Sequence, residues 1–254
     1  TRTTTLCSTD DNHYLPSEVL DEFRRTVSPK AAARYLEGRW MTPEGLIYYE
    51  YDATAHVTAR SYDPNLKTHV SIDVGDQGAV LWLQEIRVPL RDRHGKTFTG
   101  LGLHVIDEWL PEKMSVREVC RDIKRRPYAL GPQSTIYVDP TIRRDEIASI
   151  HDELPTIAMS RKSRKGHQDS TEIGHAAVNA ALMDADRNVR LTFASTLPRS
   201  GRSLLRSITQ FRRRSQSGEP IRDDTVDHVL DALRYPVADL LPLGDAGIRI
   251  LHAM

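Results

Sequence analysis

The chain has 254 residues, enough for one large domain or a domain with an attached segment, and enough to bury a real core. Hydrophobic residues make up 39% and charged residues 28%, the balance expected of an ordinary soluble globular protein; no apolar run of about 18 residues and no charged-then-apolar leader argues for a membrane span or a secretory signal. Basic and acidic residues cancel at 35 each, so bulk charge announces no nucleic-acid partner, and any basic surface must be local.

The two cysteines, Cys7 and Cys120, lie far apart, which excludes a metal-ligand pair and makes a reducing compartment the default. The chain opens on Thr1 rather than Met, as a processed or excised fragment does. Residues 1–38 read as a helical lead-in. A turn-rich stretch from Ser8 to Pro16 precedes a helical pattern through Val19, Leu20 and Phe23, then 31–36, closing at Gly38-Arg39-Trp40.

From about 45 to 110, strands dominate. Leu46-Ile47-Tyr48-Tyr49 and His69-Val70-Ser71-Ile72-Asp73-Val74 are short and rich in β-branched and aromatic residues. Ala79-Val80-Leu81-Trp82-Leu83 is apolar on both parities, which predicts burial on both faces. A polar turn at 91–96 leads to a third strand over 101–110, and three strands joined by turns predict an antiparallel meander. Beyond residue 113, helix and strand alternate: helices near 115–125, 143–154, 170–185, 200–214 and 223–234, and strands near 134–138, 156–159 and 190–194. Pro236 is expected to end the last helix. The fold class predicted is α/β, a mixed sheet of three antiparallel strands followed by parallel ones, flanked by helices.

Acids stand at three telling places. Asp73 shares a strand face with Ser71 and Gly75, opposite Val70, Ile72 and Val74. A carboxylate in so apolar a strand needs a partner, either a nearby arginine or a functional cation, and Gly75 leaves room for something to come close. Asp139 follows the strand at 134–138, where ligands gather in parallel sheets, although an Asp before Pro140 also makes an ordinary turn. In the last helix Val226, Val229, Leu230 and Leu233 define a core face, and Asp224, His228, Asp231 and Tyr235 form the neighbouring stripe. That stripe is either a solvated face or a cation site, and one of Asp223 and Asp224 serves as an N-cap. Carboxylates from two strands and a terminal helix suit hard divalent ions such as Mg²⁺ or Mn²⁺, a pair of which supports phosphodiester hydrolysis. Asp73, Asp139 and Asp231 are the candidate metal ligands, with His228 as a catalytic auxiliary or a packed histidine, and Glu108 and Asp227 as weaker auxiliaries. Like-charge repulsion predicts that the three acids meet at a cost until metal arrives.

Two basic groups suit phosphate contacts without base readout. One is the loop with Arg161, Lys162, Arg164 and Lys165. The other is the polar side of the 200–214 helix, with Arg202, Arg206 and Arg213 opposite Leu204, Leu205, Ile208 and Phe211; the alternative for both is plain surface charge. No interleaved aromatic platform favours single strands, so duplex DNA is the expected partner.

At this point a resemblance enters. Asp227-His228-Val229-Leu230-Asp231-Ala232-Leu233-Arg234-Tyr235 resembles the closing motif of the nuclease domain of large terminase subunits of tailed bacteriophages. The order of an Asp in the first strand, after the fourth and in the last helix is similar to theirs, and Asp11-Asn12-His13-Tyr14-Leu15-Pro16, Leu36-Glu37-Gly38-Arg39-Trp40 and Glu44-Gly45-Leu46-Ile47-Tyr48 look like the join from a terminase ATPase into its nuclease. The resemblance implies an RNase H-like nuclease over 41–254, with 1–40 a lead-in from an absent ATPase domain. It also implies a metal-dependent endonuclease on concatemeric double-stranded DNA in the host cytoplasm, partnered by portal protein and small terminase subunit, with no membrane. Gly95-Lys96-Thr97 is not the end of a P-loop, because Leu90 stands where the loop requires glycine; no ATPase activity is expected here. The alternatives are a DNA-gripping or portal-docking module with dormant cutting, and another RNase H-like enzyme of resolvase or transposase type.

Overall fold

The structure, a computed structural model, describes residues 14, 16–36, 45–139, 141–160, 170–213 and 227–244. The basic stretch expected as a loop at 161–165, and Asp223 and Asp224, expected at an N-cap, lie outside these.

The lead-in forms helices α1 (Ser17–Thr26) and α2 (Pro29–Tyr35), the second entered through Ser28, whose side chain accepts from Ala31 N with Pro29 in the first turn. They bury Leu20, Phe23, Val27, Ala32 and Leu36 against one another and against Ala185. The short α3 (Ala53–His56) and β1 (Val57–Thr58) follow. Residues 46–49, expected as a strand, are turns with a single bridge from Leu46 to Arg212. Their apolar side chains, Ile47 and Tyr48, are buried in the core without joining the sheet, so burial rather than pairing accounts for the apolar run.

The meander is β2 (Thr68–Asp73), β3 (Ala79–Arg91) and β4 (Thr97–Trp109), each antiparallel to the next. The last two strands are longer than the apolar run at 79–83 suggests, because residues 84–91 continue the ladder as the hairpin leaves the core. Its turn is held by two backbone hydrogen bonds between Asp92 and Lys96 or Gly95, and Gly95 takes φ +79°, which glycine adopts without steric cost. Then come α4 (Val116–Arg125), β5 (Thr135–Val138), α5 (Arg144–Glu153), β6 (Ala158–Ser160), α6 (Ser170–Leu182), β7 (Leu191–Ala194), α7 (Leu204–Gln210) and α8 (Asp227–Leu240). The sheet order is β1-β7-β4-β3-β2-β5-β6, with β5, β6 and β7 joined in parallel. Every residue of β2 is buried, as are the first six of β3.

Two cores cover the two faces. One holds α4 and α5 side chains over Val70, Ile72, Val80 and Trp82. The other holds α6, α7 and α8 over Ala79, Leu81 and Leu83. Asp73 alternates with Ile72, so it faces the second, where α8 lies. Two helix expectations change. The 200–214 helix shrinks to seven residues, preceded by a turn. Pro236 does not end α8, which runs on to Leu240. The lost backbone donor costs one helical hydrogen bond, but Val237 and Leu241 beyond it are buried in the core, and Leu241 N still reaches Val237 O at 2.9 Å.

Candidate metal and nuclease site

The ends of β2 and β5 lie side by side, Ile72 opposite Val138, which sets Asp73 and Asp139 at the same edge. Helix α8 crosses this edge with Val229, Leu230, Leu233 and Val237 in the core. The next stripe on the helix, His228, Asp231 and Tyr235, is thereby turned toward the strand ends.

Three donors from α8 meet the three acids. Tyr235 Oη lies 2.8 Å from Asp139 Oδ2 and 3.3 Å from Asp73 Oδ1. His228 Nδ1 donates to Asp73 Oδ2 at 2.6 Å, which in the neutral ring leaves the lone pair on Nε2. Arg234 donates through Nε and Nη2 to Asp231 Oδ1 at 3.0 and 2.7 Å. Asp139 also accepts from both the backbone N and the hydroxyl of Thr141. The arginine partner considered for Asp73 is thus replaced by a histidine and a tyrosine. Gly75 is where the sequence left room, and His228 uses it: a Cβ there would stand 3.1 Å from the ring's Cε1.

The electrostatics are those of an acid cluster short of positive charge. Burial pushes the Asp73 carboxyl up, and the Asp231 and Asp139 charges add to this against the pull of His228. Burial also raises Asp139, but the hydrogen bonds from Thr141 and Tyr235 outweigh it and hold that group below its ordinary value. Tyr235 stays protonated, pushed far up by burial and then by Asp73, Asp231 and Asp139. All three acids therefore act on one hydroxyl. An all-oxygen set of carboxylates with excess negative charge fits a hard divalent cation. Among the described residues no three His, Cys, Asp or Glu side chains form a ready-made metal-holding group.

The other expected residues are placed as follows. Glu108 faces the same side of the sheet as Asp73, but two strands away, since Ser71, Leu81 and Glu108 are in register. It accepts from Leu204 N at 2.7 Å at the start of α7, and burial pushes its carboxyl up to about 7. Asp227 opens the first turn of α8. Arg202 is bound to Glu112 at 3.0 Å and to the Leu110 carbonyl, Arg213 is paired with Glu172, and Arg206 is exposed. Helical spacing places Tyr235 on the stripe of His228 and Asp231 without giving it a role, and no signal local to Arg234 marks it as the partner of Asp231.

No protein-family model matches the sequence, and no protein of curated function matches it. Solved structures do. The large terminase of a thermophilic bacteriophage superposes with TM-score 0.66 at 21% identity over 92% of this chain and 55% of that one, and a second crystal form of the same protein gives 0.65 at 22% identity, covering 92% of this chain and 54% of the other. The large terminase nuclease domain of P22 superposes with TM-score 0.55 at 12% identity, over 78% of this chain and 94% of that domain. The chain has the fold of a large terminase nuclease domain. Its mixed seven-stranded sheet flanked by helices is the α/β arrangement expected from the sequence. The chain spans about half the length of the thermophilic phage terminase it matches. The acids lie where β2, its parallel neighbour β5 and the closing helix α8 converge.

Proposed function

We propose that this chain is the metal-dependent endonuclease part of a viral DNA-packaging terminase, cutting concatemeric double-stranded DNA when packaging starts and ends. The observation that carries the reading is the meeting of Asp73 and Asp139 at the Tyr235 hydroxyl, with Asp231 one turn before Tyr235 on α8, in a fold shared with large terminase nuclease domains. Asp73, Asp139 and Asp231 would hold the divalent ions, Mg²⁺ or Mn²⁺. When bound, a pair of such ions supplies an activated water and charge neutralisation at the scissile phosphate. Asp73 contributes from the end of the buried strand β2, its oxygens held by His228 and Tyr235. His228, held by Asp73 through Nδ1, would act through Nε2 as a proton acceptor. Tyr235 spaces Asp73 from Asp139.

Arg206 and the loop bearing Arg161, Lys162, Arg164 and Lys165 would grip the DNA backbone, with Arg202 contributing only by leaving Glu112. By the same reading, residues 1–40 lead in from an ATPase domain of the full protein, this part lacks ATPase activity of its own, and portal protein and small terminase subunit are its partners in the host cytoplasm.

The test is cleavage of supercoiled plasmid in Mn²⁺. Asp73→Asn, Asp139→Asn and Asp231→Asn should each reduce nicking and linearisation by about 10³-fold or more; cleavage that persists in these variants rules the site out. A second reading, a DNA-gripping or portal-docking module with dormant cutting, draws support from the donors already seated on the acids. Tight DNA retention with no cutting in any divalent metal would favour it.

A further inference from the structure

Arg234 is the cation that α8 turns away from water. Its side chain is only 14% exposed, it places two N–H groups on one oxygen of Asp231, and it lies 5.0 Å from the centre of the Tyr235 ring. The path of its stem is unusual. A Cβ at Gly174 of α6 would stand 2.6 Å from both Cγ and Cδ of Arg234, a separation that real Cβ atoms do not show. Gly174 lies inside a thirteen-residue helix, where glycine costs about 1 kcal/mol relative to alanine. What the missing methyl group provides there is room for this one arginine.

Resting on the nuclease reading above, we propose that Arg234, seated through Gly174, is a positioning residue that fixes the Asp231 carboxylate by Oδ1 and leaves Oδ2 for the metal. The grip depends on the planar guanidinium. Lysine would keep the charge, but a single ammonium on a flexible stem cannot lay two N–H groups on one oxygen from a fixed plane. Charge by itself works the other way, because a cation beside the acids repels divalent ions. Arg234→Lys removes the orienting part while keeping the charge. Gly174→Ala keeps every charge and displaces the stem.

The test is direct Mn²⁺ binding to the whole chain by calorimetry or electron paramagnetic resonance, which needs no turnover. Arg234→Lys and Gly174→Ala should each weaken Mn²⁺ binding about tenfold or more. The half-saturating Mn²⁺ concentration for plasmid cleavage should rise by the same factor. Gly131→Ala, where the added Cβ meets nothing within 4 Å, should bind as wild type. If one variant fails to fold, the other decides. Unchanged or tighter Mn²⁺ binding in the folded variants overturns the inference. Asp231→Asn separates the two levels: if it too binds Mn²⁺ and cuts as wild type, Asp231 is not part of the site and the reading on which the inference rests has failed, whereas loss in Asp231→Asn beside unchanged positioning variants sinks the inference alone.

Discussion

Tyr235 and Asp139 are joined by a 2.8 Å hydrogen bond, and the same hydroxyl lies 3.3 Å from Asp73. A hydroxyl has one proton to donate, so the shorter bond takes it and the longer contact holds the second carboxylate near. Burial and three surrounding acids keep that proton on Tyr235. Tyr235→Phe leaves Asp139 without this donor and removes the spacer. The variant is expected to lose about 1–2 kcal/mol of stability in EDTA. Saturating Mn²⁺ should restore more stability to the variant than it adds to wild type. Denaturant melts with and without metal measure both; equal stability in EDTA would count against the role.

Asp73 carries the opposite trade. Its carboxyl is pushed up by burial and by Asp231 and Asp139, so its ionised form is disfavoured in the metal-free protein. Asp73→Asn removes that repulsion at nearly the same volume. The variant should be about 1 kcal/mol more stable than wild type in EDTA and inactive in cleavage. A variant that is both less stable and inactive would indicate that His228 and Tyr235 fully compensate the charge.

Gly75 leaves the space in which the His228 ring sits, with an added Cβ 3.1 Å from Cε1. Gly75→Ala should displace the ring and lower the cleavage rate about tenfold, the low end for a general acid–base or orienting group. Because the effect runs through His228, Gly75→Ala should add little to His228→Ala in the double variant. Additive losses would show that Gly75 acts by some other route.

Glu108 makes stability depend on pH. Burial raises its carboxyl from 4.5 to about 7, so the native state holds the proton over a range where the unfolded chain has released it. Its contribution is therefore fully present below about pH 4.5 and lost as pH rises to about 7, an order-of-magnitude loss of about 2–3 kcal/mol. Glu108→Gln should abolish this dependence. The difference in unfolding free energy between wild type and variant, measured in EDTA from pH 4.5 to 7.5, should drift by about that amount in favour of the variant. A flat difference would place Glu108 outside this role.

Arg206 is exposed, whereas Arg202 is engaged by Glu112 and the Leu110 carbonyl. If α7 faces the DNA backbone, Arg206→Ala should weaken duplex binding uniformly across sequences and reduce the salt slope by about 1. Arg202→Ala should change that slope little. Binding isotherms at several salt concentrations decide, and an unchanged slope for Arg206→Ala removes α7 from the DNA path.

Much of this was determined by the sequence alone. Apolar parity along 70–74 and 79–83 is set by the two-residue period of a strand, and it identified a doubly buried meander with an acid in it. The 3.6-residue period of α8 put His228, Asp231 and Tyr235 on one stripe beside the core face, whatever the helix packs against. Local chemistry also settled the Asp92–Gly95 turn. Tertiary structure decided the rest. Residues 46–49 are buried without pairing, which an apolar run cannot distinguish from a strand. Pro236 stays inside α8 because the residues beyond it are buried, a gain invisible to a local rule about proline. Above all, which oxygen meets which donor depends on three elements arriving at one edge. Gly75 receives His228 across 153 residues of chain, and Gly174 admits Arg234 across another 60. Spacing along a chain carries no information about such meetings until packing has fixed the distance between the helices and the sheet.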